Sequence, residues 1–140
     1  MTEQDALAKK VVDRMLQTDH FSAWMGITVI DVKAGYSKIQ MTLRREMLNG
    51  FGIAHGGITF SLADSAFAFA CNSDGKVTLA LDVSMSFPKA VKEGDILTAE
   101  AKLINKTKKT GLYLVEVCNR QNELVGLFKG TCYKTEKPLI

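Results

Sequence analysis

The chain has 140 residues, enough for one domain that buries about two-thirds of its unfolded surface without disulfide or metal staples. Apolar residues make up 46% and charged residues 24%, which excludes a disordered chain. The formal net charge of +3 is too small to point to nucleic acid, although a local basic patch would still receive a phosphate-bearing ligand.

The N-terminus, MTEQDALAKK, is polar and has no apolar signal-peptide core. No stretch of the chain approaches the ~20 apolar residues of a membrane span, so a reducing cytoplasm is the expected location. Residues 3–17 read as an amphipathic helix, with Leu7, Val11, Val12, Met15 and Leu16 at helical spacing. Thr18 to Trp24 is a short connector with room for one more helical turn. Residues 27–33 read as a strand, Gly35 marks a turn, and 36–44 alternate with Ile39, Met41 and Leu43 on one face.

The segment 45–57 breaks this pattern. Asn49, Gly50, Gly52, Gly56 and Gly57 make it a loop of unusual backbone freedom. A central helix over about 57–71 follows. Its run ITFSLADSAFAFAC carries four alanines and no glycine or proline, and it is apolar nearly all round, so it must be buried. Four strands come next, over 77–87, 95–106, 111–119 and 124–135, separated by polar turns. The tail after Tyr133 is expected to fray. The order is helix, two strands, buried helix, four strands: one α+β domain over 1–140, with an antiparallel sheet around one helix.

Three cysteines, Cys71, Cys118 and Cys132, form an odd set without a CxxC pair. Neither a disulfide framework nor a zinc knuckle is expected, and buried free thiols are the simplest reading. The two histidines, His20 and His55, share no metal-ligand spacing, and no metal is expected. There is no GxSxG nucleophile elbow and no P-loop.

Asp64 is the only ionisable residue between Ile58 and Cys71. A carboxylate on a buried helix loses solvation, so it is either a catalytic acid or base of displaced pKa or a structural group capping a nearby loop amide. His55-Gly56-Gly57 opens the same helix. Free amides at a helix start carry partial positive charge and can hold an oxyanion, or the glycines simply start the helix. His55 could orient a substrate carbonyl or serve the loop. Asn49, six residues before His55, could hold water or a carbonyl, or shape a turn. Gly56 and Asp64 lie eight positions apart, roughly 12 Å along one helix, so one small carbonyl group cannot touch both within a single subunit. If both act on it, they come from two chains, which makes the site a property of a symmetric dimer. Lys89, Lys92, Lys106, Lys108 and Lys109 stand at strand ends, either as point charges for phosphates or as solvated turn residues.

The segment HGGITFSLADSAFAFACNS, residues 55–73, resembles the signature of the hotdog-fold acyl-coenzyme A thioesterases, and most closely their phenylacetic acid degradation (PaaI-like) branch. Asn49 and the later LDVSMSFPKAVKEGD also fit, and the resemblance covers roughly residues 26–133. It implies a curved antiparallel sheet wrapped around the helix that starts near Gly56. It implies a homodimer, often paired again into a tetramer, acting on an acyl-coenzyme A substrate with no cofactor, since coenzyme A is part of that substrate. By position, Asp64 would be nucleophile or general base, the Gly56 amide the oxyanion hole, and Asn49 and His55 the groups that position water or substrate. Of the strand-end lysines, read from their charge and placement and not from the resemblance, Lys89, Lys106, Lys108 and Lys109 are the ones expected to receive the coenzyme A phosphates. Some relatives place a hydroxyl one turn after the acidic residue, where this chain has Ala68, or two before the strand aspartate that matches Asp82, where it has Ala80. Ser65 or a water would have to substitute.

Three functions fit these residues. The first is hydrolysis of acyl-coenzyme A thioesters, with an aryl or arylacetyl acyl group implied by the branch. The second is a hydratase or dehydratase on thioester-bound acyl chains, although the proline-rich loop expected around its histidine is absent. The third is a non-catalytic acyl-coenzyme A binder; as a transcriptional sensor it would need a DNA-binding module that 25 N-terminal residues are too few to supply.

Overall fold

A computed structural model describes residues 1–140. Helix α1 spans Glu3–Leu16; Thr2 caps it by accepting the Asp5 N–H at 3.0 Å, and it buries Ala8, Val11 and Val12. The connector contains a second helix, α2, over His20–Met25. Asp19 caps its start and Gly26, at φ 72°, ends it in the left-handed conformation that favours glycine. Strands β1 (Thr28–Lys33) and β2 (Tyr36–Thr42) form a hairpin, and a single 3-10 turn, Arg45–Met47, opens the loop that leads to α3 (Gly56–Cys71). Four strands complete the chain: β3 (Lys76–Ser86), β4 (Ile96–Lys106), β5 (Thr110–Cys118) and β6 (Leu124–Pro138). No helix is long and apolar enough to cross a membrane.

The six strands form one antiparallel sheet in the order β1-β2-β4-β5-β6-β3. Helix α3 touches every one of them. Six strands at about 4.8 Å spacing make a sheet roughly 24 Å wide, whereas a helix with its side chains is about 10–12 Å across. The sheet must therefore curl around the helix to reach it from both edges. This is the α+β hotdog architecture that the resemblance implied.

The sequence accounts for this wrap. On α3, Leu62, Ala63, Ala66, Phe67, Phe69 and Ala70 are all buried. Phe67 is the pivot: its ring stands edge-on to Tyr113 of β5 and tilted against Phe128 of β6, with centroids 5.7 and 5.4 Å away. Gly130 of β6 makes room for it, because a Cβ there would lie 2.8 Å from the Phe67 Cζ. Opposite, Ala99 and Ala101 of β4 keep the sheet floor low and are fully buried. Two polar ties fix the helix axially. Ser37 Oγ on β2 donates to the Ala66 carbonyl at 2.6 Å. Asn72, just past the helix, accepts from Thr78 N–H at 2.7 Å and donates to the Ala68 carbonyl at 2.9 Å, which binds the helix end to β3.

Two expectations need correction. The tail does not fray after Tyr133: β6 continues to Pro138, paired with Lys76 of β3, and Leu139 N–H donates to the Gly75 carbonyl at 2.7 Å. The long strand β3 supplies this partner, which composition alone does not reveal. Cys118 is not buried like Cys71 and Cys132; it is half-exposed beside a polar groove with Gln40, Glu100 and Glu116.

Replacing Phe67 with Ala removes the ring around which sheet and helix close. The expected cost is about 3–5 kcal/mol, read as a lower urea midpoint at unchanged slope. A loss below about 1 kcal/mol would mean that the core collapses into the space without that ring.

Candidate active site

The loop before α3 is folded on itself by one side chain. Asn49 Oδ1 accepts the Phe51 N–H at 2.9 Å and the Ile53 N–H at 3.4 Å, and Gly52 turns the chain at φ 76°. Backbone bonds then anchor the exit: Ala54 N–H to the Val91 carbonyl at 2.8 Å and His55 N–H to the Met47 carbonyl at 2.9 Å. Asn49 thus shapes the turn with its oxygen, while its two amide hydrogens make no bond within the chain.

His55 is the cap of α3. Its Nδ1 accepts the Gly57 N–H at 2.9 Å, which requires a neutral ring with the proton on Nε2. The Ile58 N–H is also satisfied, by the His55 carbonyl at 2.9 Å. The Gly56 N–H is left as the one amide of this first turn without a partner in the chain. The Phe87 ring covers the approach, 3.5 Å from where a Cβ on Gly56 would sit. A free amide at a helix start, under an apolar ring, is a site where partial positive charge awaits an anion.

Asp64 lies two turns further along the same continuous helix. It is half-buried, and burial alone pushes its carboxyl above the ordinary carboxylate range. No side chain or backbone amide of the chain donates to it. The reading of Asp64 as a cap for a loop amide therefore finds no loop amide to cap. Helix α3 runs unbroken from Gly56 to Cys71, so the eight-residue rise of about 12 Å between Gly56 and Asp64 is enforced by its geometry. Ser65 and Ala68 are half-buried neighbours on the helix; Ala80 and Asp82, at a bulge of β3, are both exposed. Ser61 Oγ, a further hydroxyl near the helix start, is occupied with the Gly57 carbonyl at 2.7 Å.

The lysines separate into two groups within the subunit. Lys89 follows β3 at the Gly56 end of the sheet and is ion-paired with Glu123. Lys106, Lys108 and Lys109 are exposed at the β4–β5 turn, at the other end, where α3 finishes. One subunit therefore does not bring all four to one phosphate group. Phe87 was not legible as a site residue, because it reads as the last member of an alternating strand and only the three-dimensional register sets it over Gly56.

Known proteins resemble this chain in both sequence and fold. The sequence model of the Thioesterase superfamily matches residues 51–125. A putative esterase of Archaeoglobus fulgidus is 42% identical over 135 residues, covering 96% of this chain and 88% of the relative. The acyl-coenzyme A thioesterase PaaI of Escherichia coli is 39% identical over 120 residues, 86% of each chain. The solved structure of the E. coli PaaI protein from the phenylacetic acid degradation operon superimposes with a TM-score of 0.95 at 35% identity, covering 97% of this chain and 99% of that one. These likenesses span nearly the whole chain, which belongs to the thioesterase superfamily, in its hotdog-fold, PaaI-like branch.

Proposed function

We propose that this enzyme hydrolyses acyl-coenzyme A thioesters to the free acid and coenzyme A, with Asp64 as the reacting carboxylate and the Gly56 amide as the oxyanion donor. The observation that carries this reading is Asp64 itself, a half-buried carboxylate on a core helix with no partner in its own chain. Desolvating such a group costs stability and is retained where a substrate uses it. Water activated by Asp64, or its carboxylate directly, attacks the thioester carbonyl. Negative charge builds on the carbonyl oxygen, where the Gly56 N–H stabilises it, and the tetrahedral intermediate collapses with loss of the coenzyme A thiolate. Asn49, through its free amide hydrogens, and His55, through Nε2–H, are donors suited to orienting water or carbonyl. The E. coli relative, named for acyl-coenzyme A and drawn from a phenylacetic acid operon, supports an aryl or arylacetyl acyl group.

The spacing argument adds a second subunit. Strand β3 is a sheet edge whose outward side has no partner, and it exposes Leu79 (57%) and Leu81 (62%). An apolar unpaired edge is a pairing surface that proteins seldom leave open. A second copy aligned on β3 would extend the sheet and carry each subunit's α3 toward the other. Each carbonyl would then meet Gly56 from one chain and Asp64 from its partner, with two equivalent sites per pair.

Three measurements test this reading. Asp64→Asn should retain the fold and lower kcat by at least ~10²-fold in a thiol-release assay on a panel of acyl-coenzyme A esters, with KM little changed. Near-normal turnover in the folded variant would leave Asp64 a structural role only.

The pH dependence has a defined sign. Activity that needs the Asp64 anion falls as pH drops through its raised pKa, so the acid limb of kcat/KM should lie above the ordinary aspartate value of 3.8. Stability runs the other way. The folded chain holds this proton more tightly than the unfolded one, so stability falls as pH rises from the unfolded to the folded value and stays lower above it. Asp64→Asn should therefore be the more stable protein in neutral urea titrations and gain nothing below the aspartate range. An equal gain at both ends would assign the effect to packing.

Mixing gives the test of the shared site. Gly56→Pro removes the proposed donor at a helix position that tolerates proline. Co-refolded Asp64→Asn and Gly56→Pro chains form about half mixed dimers, each with one intact site, so activity should return to roughly a quarter of wild type. Confirmed heterodimers without activity would mean that the two groups do not meet across the pair.

A further inference from the structure

The far end of α3 holds a second chemical feature, separate from Asp64 and Gly56. Cys71, the last residue of the helix, and Cys132, on β6, both line a cavity of about 200 Å³ closed by α1 and the β1–β2 and β4–β5 turns. Leu7, Gly35, Ser73, Thr110 and Tyr113 complete much of its wall. The two sulfurs lie close enough that each shifts the other's ionisation. Both are otherwise well buried, so the cavity is their route to solvent.

We propose that Cys71 and Cys132 form an oxidisable dithiol, which small hydroperoxides entering this cavity convert to an intramolecular disulfide.

The two sulfurs are not equivalent, and the difference comes from their neighbours. Cys132 pairs in register with Gly111 of β5, and the missing Gly111 side chain leaves its Sγ room: a Cβ there would stand 3.0 Å from that sulfur. The neighbouring Cys71 sulfur, the Gly111 backbone amide and the Lys134 ammonium all favour negative charge on Cys132. These contacts hold the Cys132 thiol below the usual cysteine range. Cys71, set beside Cys132, buried, and within reach of the Asp64 charge, is pushed well above it, and its thiol donates to the Ala68 carbonyl at 3.7 Å. The other charged groups at the cavity are Asp74, ion-paired with Lys134, and Lys106. Cys132 is thus the thiolate that attacks and Cys71 the thiol that resolves.

The chemistry balances with a hydroperoxide as oxidant. The Cys132 thiolate attacks the distal peroxide oxygen; an S–O bond forms, the O–O bond breaks, and the alkoxide (hydroxide, for hydrogen peroxide) leaves and takes a proton. The Cys71 sulfur then attacks the Cys132 sulfenic acid; the S–S bond forms, the S–O bond breaks, and water leaves with the Cys71 proton. Two thiols and one hydroperoxide give one disulfide, one alcohol or water, and one further water. The two sulfurs must close to about 2.05 Å, a movement that the side chain at the end of the helix and the gap beside Gly111 allow. Cys118, on the outer face of the sheet and raised by burial and by Glu116, is an internal control.

The test uses the full-length reduced protein and hydrogen peroxide in modest excess. The reaction is quenched by denaturation in an alkylating reagent and read by intact mass and peptide mapping. The expected product has lost two hydrogens, carries alkyl only on Cys118, and yields one cross-linked peptide pair containing Cys71 and Cys132. In Cys71→Ala, the same treatment should leave a Cys132 sulfenic acid that dimedone traps, and no cross-link. Alkylation of all three thiols after oxidant excess, or a disulfide that involves Cys118 instead, would overturn the proposal. The wild-type map decides the matter even where the variant folds poorly. The readout is the state of the thiols and not turnover, so the outcome is independent of the hydrolase reading.

Discussion

Everything in this molecule depends on burying one helix that has almost no polar face. Helix α3 cannot satisfy that need against a flat sheet, which would cover only one side of it. The sheet curls until all six strands touch the helix, and small residues decide how tightly it can do so. Gly130 admits the Phe67 ring, and Ala99 and Ala101 admit the helix backbone side. Close packing of this kind leaves few voids and makes the helix a rigid rod. That rigidity turns sequence spacing into a distance: the separation of Gly56 and Asp64 cannot relax by bending.

The same burial explains why Asp64 stands out energetically. A core helix of Leu, Ala and Phe stabilises the fold through apolar area, and one carboxylate within it works against that gain. Elsewhere the chain satisfies its buried polar groups completely: Ser37, Thr78 and Asn72 all find partners, and no buried side-chain oxygen or nitrogen is orphaned. Asp64 escapes orphan status only because it keeps partial access to solvent. That access is the opening through which a substrate, or a partner subunit, would reach it.

Hydrophobic period and glycine punctuation made much of this legible beforehand. The run from Ile58 to Cys71 is helical by its alanines and buried by its uniform apolarity, and both hold. Strands β2, β4 and β5 follow their alternation closely, since each has one face on the helix, whereas β3 does not. What escaped the sequence depends on pairings between distant segments. The continuation of β6 to Pro138 needs Lys76 as a neighbour, and the polar run Lys134, Thr135, Glu136 and Lys137 gives no hint of it. The helix at His20–Met25 is too short for periodicity and is defined by its caps, Asp19 and Gly26. At the site, Asp64 was conspicuous because it broke a pattern. Phe87 and the Cys71–Cys132 contact were invisible because each conformed to one.

The edge strand β3 joins these points. Its alternating residues begin as an ordinary half-buried strand, but the bulge between Ala80 and Asp82 interrupts the register, and Leu79 and Leu81 emerge into solvent. Such a strand is a poor choice for an isolated chain and a good one for a pair, since an antiparallel partner satisfies both its amides and its leucines. Asn72 ties this strand to the end of α3, so a copy bound at β3 is held in fixed relation to the helix. The helix thus carries three separate features along its length. At its start lies a free amide, at its middle a half-buried carboxylate with no partner in the chain, and at its end, walled off by α1 and two turns, Cys71 beside Cys132. Of the three, Asp64 alone breaks the apolar run of the helix with a charge, and there the helix keeps partial access to solvent.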